Sequence, residues 1–428
     1  MKSFRSIVSS VFATVFVVLA IVVVWQYAGQ PSSQQAAEVL RQASLLNVRG
    51  DSTAAEQLAR RAIALDPDLS PAYRLAADCA VQRGDFEQAL QDLDCITDGN
   101  SEDWVNARLM SAELLHHRVF RLRDAEQAYR DVLKLVPNDV TANDGYARLL
   151  GVCGRRSEAI PYILRLLQAG EDTDLLILLT RESGLMTDPD LLEAARKADP
   201  TDPNPLIGQA AAAAGAQQGK VALEKLQQAV TLSNLPESFH GRLGSQLLAN
   251  QKFAELDLWS QGFSAESATH DSWIVLASLA ERAGNSNAAI RCYWEAVRLQ
   301  PESLQAINQL AQKLTSAGLL ELAQPFQKRV RQINDLRDAQ QLAIMSGQRP
   351  QFAAVLTMIQ AYVAVGRMHE AHSWGQIAQE MEPQNAELQQ LLQTIAVALP
   401  SLPLELTSPE HNPARQIDLS HYPLPVLN

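Results

Sequence analysis

Residues 270–303, HDSWIVLASLAERAGNSNAAIRCYWEAVRLQPES, contain two runs of small and apolar side chains. The members of each run recur every three or four residues: Trp273, Leu276, Ala277 and Ala280, then Ala289, Tyr293 and Ala296. Because residues at that spacing share one face of an α-helix, each run predicts one buried stripe. Gly284 and Asn285 separate the two runs as a tight turn would, and Pro301 ends the second run. The stretch therefore predicts a helical hairpin.

The turn and second helix of this hairpin recur along the chain. The recurring turns carry a glycine at Gly50, Gly84, Gly154, Gly284, Gly318 and Gly366. A spacing of 34 residues separates Gly50 from Gly84, and the same spacing separates Gly284 from Gly318. A further copy ends at Pro137 and lacks the turn glycine. A generic helical bundle would show the helical period without a fixed long period, so the recurrence favours stacked hairpins.

The signature of residues 270–303 resembles the tetratricopeptide repeat, whose period is about 34 residues. Trp-x2-Leu-small-x2-small, Ala-x3-Tyr-x2-Ala and a late proline fall on the signature positions of that family. Ala277 replaces the usual glycine, and Ala280 departs from the usual aromatic residue. The resemblance implies an all-α fold, a TPR-type α-solenoid in which helical hairpins form a right-handed superhelix. It also implies that the chain functions by binding other molecules.

The composition limits the classes of partner. A chain of 428 residues could hold two or three ordinary domains, but a solenoid can extend indefinitely because each repeat packs only on its neighbours. The formal net charge is −12, and no basic run stands out. Binding to a nucleic-acid backbone depends on clustered Lys and Arg, so we expect no nucleic-acid partner.

Four cysteines are present: Cys79, Cys95, Cys153 and Cys292. None forms a Cys-x2-Cys pair or the spacing of a zinc site. Cys79 and Cys95 fall on the two helices of one predicted hairpin, so a disulfide between them is conceivable. Buried, reduced cysteines are the interpretation that we favour.

The N-terminal segment predicts a membrane anchor. The apolar run Ile7 to Trp25 would span roughly 28 Å as a helix, close to the bilayer core of about 30 Å. A cleaved signal peptide is the alternative, but the run is longer than usual and no good Ala-x-Ala site follows. Lys2 and Arg5 precede the run, and positive charge favours the cytoplasmic side. We therefore predict a single-pass protein of the inner (cytoplasmic) membrane, with the bulk of the chain on the extracytoplasmic side.

Repeat signal and composition divide the chain into six segments. They are a cytoplasmic N-terminus (1–5), a transmembrane anchor (6–27), a linker (28–35), an N-terminal repeat arm (36–202), a C-terminal repeat arm with a capping helix (203–399) and a Pro-rich tail (400–428). The densest cluster of helix-breaking residues in the middle of the chain consists of Pro200, Pro203 and Pro205. This cluster predicts a hinge between the arms. The tail is predicted to be extended or disordered. Its apolar end could dock on a groove of this chain or of a partner.

Motifs of catalysis and metal binding are absent from the sequence. It contains no phosphate-cradling glycine loop, no His-Glu-x2-His motif and no Gly-x-Ser-x-Gly elbow. His369 and His372 have a spacing that could hold a metal, but no further ligands are evident nearby. We therefore predict no catalytic residue, no cofactor, no metal and no small-molecule substrate.

The register of the repeat family instead implies a groove lined by non-core residues of the first helices. These residues are Leu40, Ser44, Met110, Leu114, Asp144, Arg148, Ile274, Ser278, Asn308, Gln312, Leu356 and Gln360. Some of them could simply pack between repeats. The repeated Lys, Asn and Arg that clamp a peptide carboxylate in some family members are absent, and the fairly apolar lining fits an extended peptide or a helix.

The sequence thus predicts a membrane-anchored scaffold or assembly factor that binds proteins or peptides. One alternative resembles the anchored repeat subunits of cytochrome c maturation, which present apoprotein to a ligase. The other is an enzyme with an unrecognised site.

Overall fold

The computed structural model describes residues 32–99, 101–170, 176, 179, 187–233, 235–236, 238–345 and 351–426. All regular secondary structure in these ranges is helical. The predicted anchor, residues 6–27, lies outside them. Within the ranges that are described, no helix combines the length and the apolar character needed to cross a bilayer.

The chain forms two compact units, and the first ends at Leu135. Its helices are α1 (32–48), α2 (Ser52–Leu65), α3 (Ser70–Gln82), α4 (Phe86–Asp94), α5 (Glu102–Leu114) and α6 (Leu122–Leu135). They pair in sequence as hairpins, α1 with α2, α3 with α4 and α5 with α6. Small residues such as Ala43, Ala55 and Ala59 are fully buried between them and allow the helices to approach closely.

The second unit begins at Val136 and repeats the same construction. Its helices are α7 (Val140–Val152), α8 (Arg156–Gln168), α9 (Pro189–Ala198), α10 (Asn204–Gly215), α11 (Gly219–Val230), α12 (Ser238–Ala249), α13 (Phe253–Gln261), α14 (His270–Arg282), α15 (Ser286–Leu299), α16 (Leu304–Ser316), α17 (Leu320–Gln340), α18 (Phe352–Val365), α19 (Met368–Met381), α20 (Ala386–Ala398) and α21 (Pro413–Gln416). Helix α20 packs on α19 at the end of the array, where the sequence predicted a capping helix.

The signature residues of the hairpin α14–α15 form its core. All of the predicted stripe residues are buried: Trp273, Leu276, Ala277, Ala280, Ala289, Tyr293 and Ala296. The Trp273 ring meets Phe263 edge-on, with 5.1 Å between the ring centres. The helical hairpin and its buried stripes are therefore confirmed.

Glycine makes the tight turns possible. Gly284 has a φ of +72°, and the next amide, of Asn285, donates to the carbonyl of Ala280 across 2.9 Å. A side chain strains this left-handed conformation, whereas glycine adopts it readily. The other predicted turn glycines share the positive φ: Gly50, Gly84, Gly154, Gly318 and Gly366.

The region where the repeat signal weakens still folds as hairpins. Gln217, between α10 and α11, and Gln251, between α12 and α13, have φ values of +61° and +58°. Each occupies the left-handed position that glycine takes elsewhere. The fold therefore continues through residues 204–261 although the sequence loses its clearest marker there.

The proline-rich segment before α10 lies inside the second unit. Asp202, Pro203 and Asn204 are buried, and the Asn204 side-chain oxygen accepts from Nη1 of Arg155 across 3.3 Å. The boundary between the compact units falls at Leu135, so this segment is not the junction between them. The hinge at Pro200–Pro205 stays a prediction about motion.

The cysteines agree with the prediction only in part. Cys79, Cys95 and Cys292 are free thiols, and Cys79, Cys153 and Cys292 are buried. Burial raises the pKa of Cys292 to about 12, which suppresses its reactive thiolate. The prediction of burial was wrong for Cys95, which is exposed near the end of the short helix α4.

Candidate functional site

The tail packs on helices of its own chain. It contacts α15 and α17, which are the second helices of two successive hairpins, and it reaches the turn before α19. Ala414 and Leu419 are almost completely buried. The tail contains short helical turns and extended backbone. Of the two alternatives for the tail, the structure therefore supports docking on this chain. We call the surface that the tail covers, on α15, α17 and the turn before α19, the tail groove.

Arg329 of α17 anchors the first part of the tail. This side chain is only 2% exposed. Its Nε donates to the Pro301 carbonyl (3.0 Å), its Nη1 to the Val365 carbonyl (2.7 Å) and its Nη2 to the Thr407 hydroxyl oxygen (3.3 Å). Burial lowers the pKa of Arg329, and the nearby carboxylate of Glu302 opposes that effect. One guanidinium thus joins two interhelical turns to the tail.

A second set of contacts surrounds the same tail residues. The Thr407 hydroxyl donates to Oε1 of Glu302 (2.6 Å), and the Ser408 amide donates to the Gly366 carbonyl (2.9 Å). Nη1 of Arg367 donates to the other Glu302 oxygen across 3.1 Å. Burial by itself would lower the pKa of Arg367. Glu302 and a second carboxylate outweigh that effect and raise the pKa above its usual value. These contacts fix this stretch of tail.

Helix α15 holds the distal part of the tail through main-chain carbonyls. Nε1 of Trp294 donates to the Ile417 carbonyl across 2.7 Å. Nη1 of Arg291 donates to the Tyr422 carbonyl across 3.2 Å and also to the Ser420 carbonyl. Since these donors contact backbone oxygens, the recognition does not depend on the identity of those side chains.

Arg291, Trp294 and Arg298 form one row on α15, which we call the α15 face. The guanidinium carbons of Arg291 and Arg298 lie 5.4 Å and 5.8 Å from the centre of the Trp294 ring, within cation–π range. Glu295 accepts from Arg291 at 3.0 Å and from Arg298 at 2.8 Å. These contacts hold the indole and guanidinium donors in place.

The predicted groove residues lie elsewhere, on first helices. Four are exposed (Ser44, Asn308, Gln312, Gln360), six are half-buried (Leu40, Met110, Asp144, Arg148, Ser278, Leu356) and two are buried (Leu114, Ile274). Leu40, Ser44, Met110 and Leu114 lie in the first unit, and the other predicted groove residues lie in the second.

Local contacts occupy several of these predicted residues. Arg148 pairs with Asp144 at 2.8 Å, and the Ser278 hydroxyl donates to the Ile274 carbonyl at 3.0 Å. Gln360 donates to Glu387 of α20 at 2.7 Å. The structure brings Asn308 and Gln312 together on the wall of a cavity of about 480 Å³. A first-helix groove at these positions stays a prediction.

Sequence reasoning missed the α15 face because it lies outside the repeat signature. Trp294 directly follows the signature residue Tyr293 and therefore points away from the predicted stripe. This tryptophan lies between arginines on the polar side of the helix, and the tail packs over it. That pattern, Arg-x2-Trp-x3-Arg, was the available signal.

Comparisons with known proteins found one matching family model and several similar solved structures. Residues 270–303 match the family model of the tetratricopeptide repeat. No curated protein matches the chain. Among solved structures, the tetratricopeptide repeat domain of P58(IPK) is 16% identical over 86% of this chain and 99% of that chain, with a TM-score of 0.26. Pseudomonas aeruginosa pilF is 16% identical over 56% of this chain and 99% of that chain, with a TM-score of 0.28. The human IFIT1 dimer with PPP-AAAA is 13% identical over 86% and 94%, with a TM-score of 0.33.

Proposed function

We propose that this chain, whose residues 270–303 are a tetratricopeptide repeat, is an interaction scaffold that binds non-helical segments of partner proteins. The observation that carries the proposal is the tail groove itself. It holds a segment of chain through donors to the carbonyls of Ile417, Ser420 and Tyr422. A partner segment with similar backbone geometry would present its own carbonyl groups to the same donors. No catalytic step enters the proposal.

The tail also suggests which chemistry such a partner has. Leu419 is fully buried and supplies one apolar anchor, while Pro423 and Pro425 follow in irregular backbone. Proline-rich segments are pre-ordered in extended form and therefore lose less entropy on binding. We expect the preferred partner segment to combine a buried leucine-like residue with nearby prolines. The exclusion of nucleic acid, argued from net charge, stays a prediction.

A membrane location is part of the same proposal. Residues 6–27 would anchor the scaffold in the inner membrane, and the repeats would work on the extracytoplasmic side. The support is the apolar run after Lys2 and Arg5. A reporter enzyme that works only outside the cytoplasm, fused after Asn428, should be active. A stable but inactive fusion would reverse the assigned topology.

Site-specific crosslinking tests the scaffold function. A photoreactive residue replaces Arg298, which lies on the α15 face with about half of its side chain exposed. In intact membranes we expect an adduct with a partner protein that an excess of synthetic peptide 415–426 abolishes. Leu258 of α13, 68% exposed, is the matched control position. Adducts that the peptide leaves unchanged, or equal adducts at the control position, would refute binding in the tail groove.

A further inference from the structure

One histidine of the tail packs directly on a turn of the repeat array. The His411 ring lies over Gly366, so a Cβ added to that glycine would stand 2.5 Å from Cγ and 2.6 Å from Cβ of His411. No side chain fits there. At Gly318, a turn glycine whose φ of +77° nearly equals the +78° of Gly366, nothing lies within 4 Å of the added Cβ. Gly366 therefore makes room for the tail as well as forming its turn.

Hydrogen bonds hold the same part of the tail against the turn. Nδ1 of His411 lies 2.7 Å from the Ser408 hydroxyl oxygen. The Ser408 amide donates to the Gly366 carbonyl across 2.9 Å, and the His411 amide donates to the Ser408 carbonyl across the same distance. The ring of His411 is thus fixed to the residue that binds the turn.

Charged groups surround His411 on several sides. Its own turn contributes Glu410, whose Oε1 lies 3.7 Å from Nδ1, and α17 contributes the buried guanidinium of Arg329. The turn before α19 contributes Arg367, which is paired with two carboxylates. A cavity of about 530 Å³ between α17 and the tail adds three more charged side chains: Glu321, Lys328 and Arg331. Burial lowers the pKa of His411, Glu410 opposes that effect and Arg329 adds to it.

The docked tail prefers the neutral form of His411. A histidine in solution takes up a proton at about pH 6.5, whereas docked His411 binds it only at lower pH. Below about pH 6.5 the released tail therefore binds more protons than the docked tail, and docking weakens as the pH falls. The upper limit for one histidine is roughly a thirtyfold weakening between pH 7.5 and pH 5.

A second histidine acts in the same direction. Burial lowers the pKa of His369 of α19 against the opposing hydrogen bond to the Pro403 carbonyl, and His372 adds to the effect of burial. The beginning of the tail thus rests on a histidine of the array, and His411 of the tail rests on the array in return. Protonation of either ring disfavours the contact between them and their surroundings.

We propose that the tail is a releasable occupant of the tail groove and that protonation of His411 releases it. Release uncovers the donors of Trp294 and Arg291, which otherwise bind carbonyls of the tail. A segment of another protein then has access to them. That last step rests on the proposed function, whereas release of the tail does not.

Hydrogen exchange of the tail in the full chain, in detergent, tests the release. After correction for intrinsic exchange, residues 407–412 and 417–422 of the wild type should exchange at least about fivefold faster at pH 5 than at pH 7.5. His411→Gln should lose most of this dependence, because glutamine does not titrate. His421→Gln is the matched control and should keep the dependence, since His421 is exposed on the same tail.

A pair of glycine variants releases the tail without a change of pH. Gly366→Ala should make residues 407–412 exchange fast at pH 7.5, because the new methyl group takes the place of the His411 ring. Gly318→Ala carries the same left-handed strain with open space around it, so its tail should stay protected. Equal exchange of the tail in these two variants would contradict docking on Gly366.

Binding of labelled peptide 415–426 to the full chain separates the release from the scaffold function. We expect tighter binding at pH 5 than at pH 7.5 in the wild type, and equally tight binding at both pH values in Gly366→Ala. Fast exchange of the tail without peptide binding would support the release and refute the scaffold function. Three results would overturn the release: exchange that does not depend on pH, equal pH dependence in the wild type and His411→Gln, or faster exchange confined to residues 407–412.

Discussion

His116 makes the stability of the first unit depend on pH. Its side chain is 1% exposed, and neither ring nitrogen has a hydrogen-bond partner among the residues that the structure describes. It lies in the π-helical turn Leu115–Val119, stacked on His117 with 4.0 Å between the ring centres. Burial, and secondarily the neighbouring His117, lowers the pKa of His116 to about 3.

The sign follows from the protons bound in each state. The unfolded chain takes up a proton near pH 6.5, whereas folded His116 resists protonation until about pH 3. Between these values the unfolded state binds more protons, so the free energy of unfolding decreases as the pH falls. From pH 8 to pH 5 the pKa difference corresponds to a loss of about 2 kcal/mol, roughly a thirtyfold rise in the open population.

Hydrogen exchange of the α5 and α6 amides in the full chain measures this effect. After correction for intrinsic exchange, the opening free energy of the wild type should fall by about 2 kcal/mol between pH 8 and pH 5. The His116→Leu variant should lose that dependence, because leucine does not titrate. An equal pH dependence in both proteins would refute the assignment to His116.

Two further predictions concern the repeat core. Trp273→Ala should lower the free energy of unfolding of the second unit by about 3–5 kcal/mol, as for a buried large aromatic, and a thermal shift within error would contradict it. Gly284→Ala should cost about 1 kcal/mol through backbone strain alone, because nothing lies within 4 Å of the added Cβ. Gln217→Gly should instead stabilise the chain by about 0.5 kcal/mol. Denaturant melts that show the same sign for both turn variants would disprove the left-handed turns.

Most of the fold could be predicted from local sequence patterns. The stripe around Trp273 and the turn at Gly284 are features of a few consecutive residues, and packing followed the helical period. Gln217 and Gln251 take the place of the turn glycine in the hairpins α10–α11 and α12–α13, so the clearest marker of the repeat is missing from the sequence there. Propensity cannot reveal a position that tertiary contacts determine.

The candidate site could not be predicted in the same way. Arg291 contacts Tyr422 across 131 residues of chain, and no local signal links them. The family register points to first-helix positions such as Asn308 and Gln312, whereas the tail lies on second helices. The sequence suggested that the tail docks, but the surface that it meets exists only after the hairpins have stacked.

Hydrogen exchange of residues 417–422 in a Trp294→Phe variant tests most directly whether the α15 face holds a segment by its backbone. Phenylalanine keeps an aromatic ring and removes the Nε1 donor to the Ile417 carbonyl. Loss of about 1 kcal/mol for one hydrogen bond predicts roughly fivefold faster exchange there. Exchange in α14 should not change. Unchanged exchange at 417–422 would contradict the account.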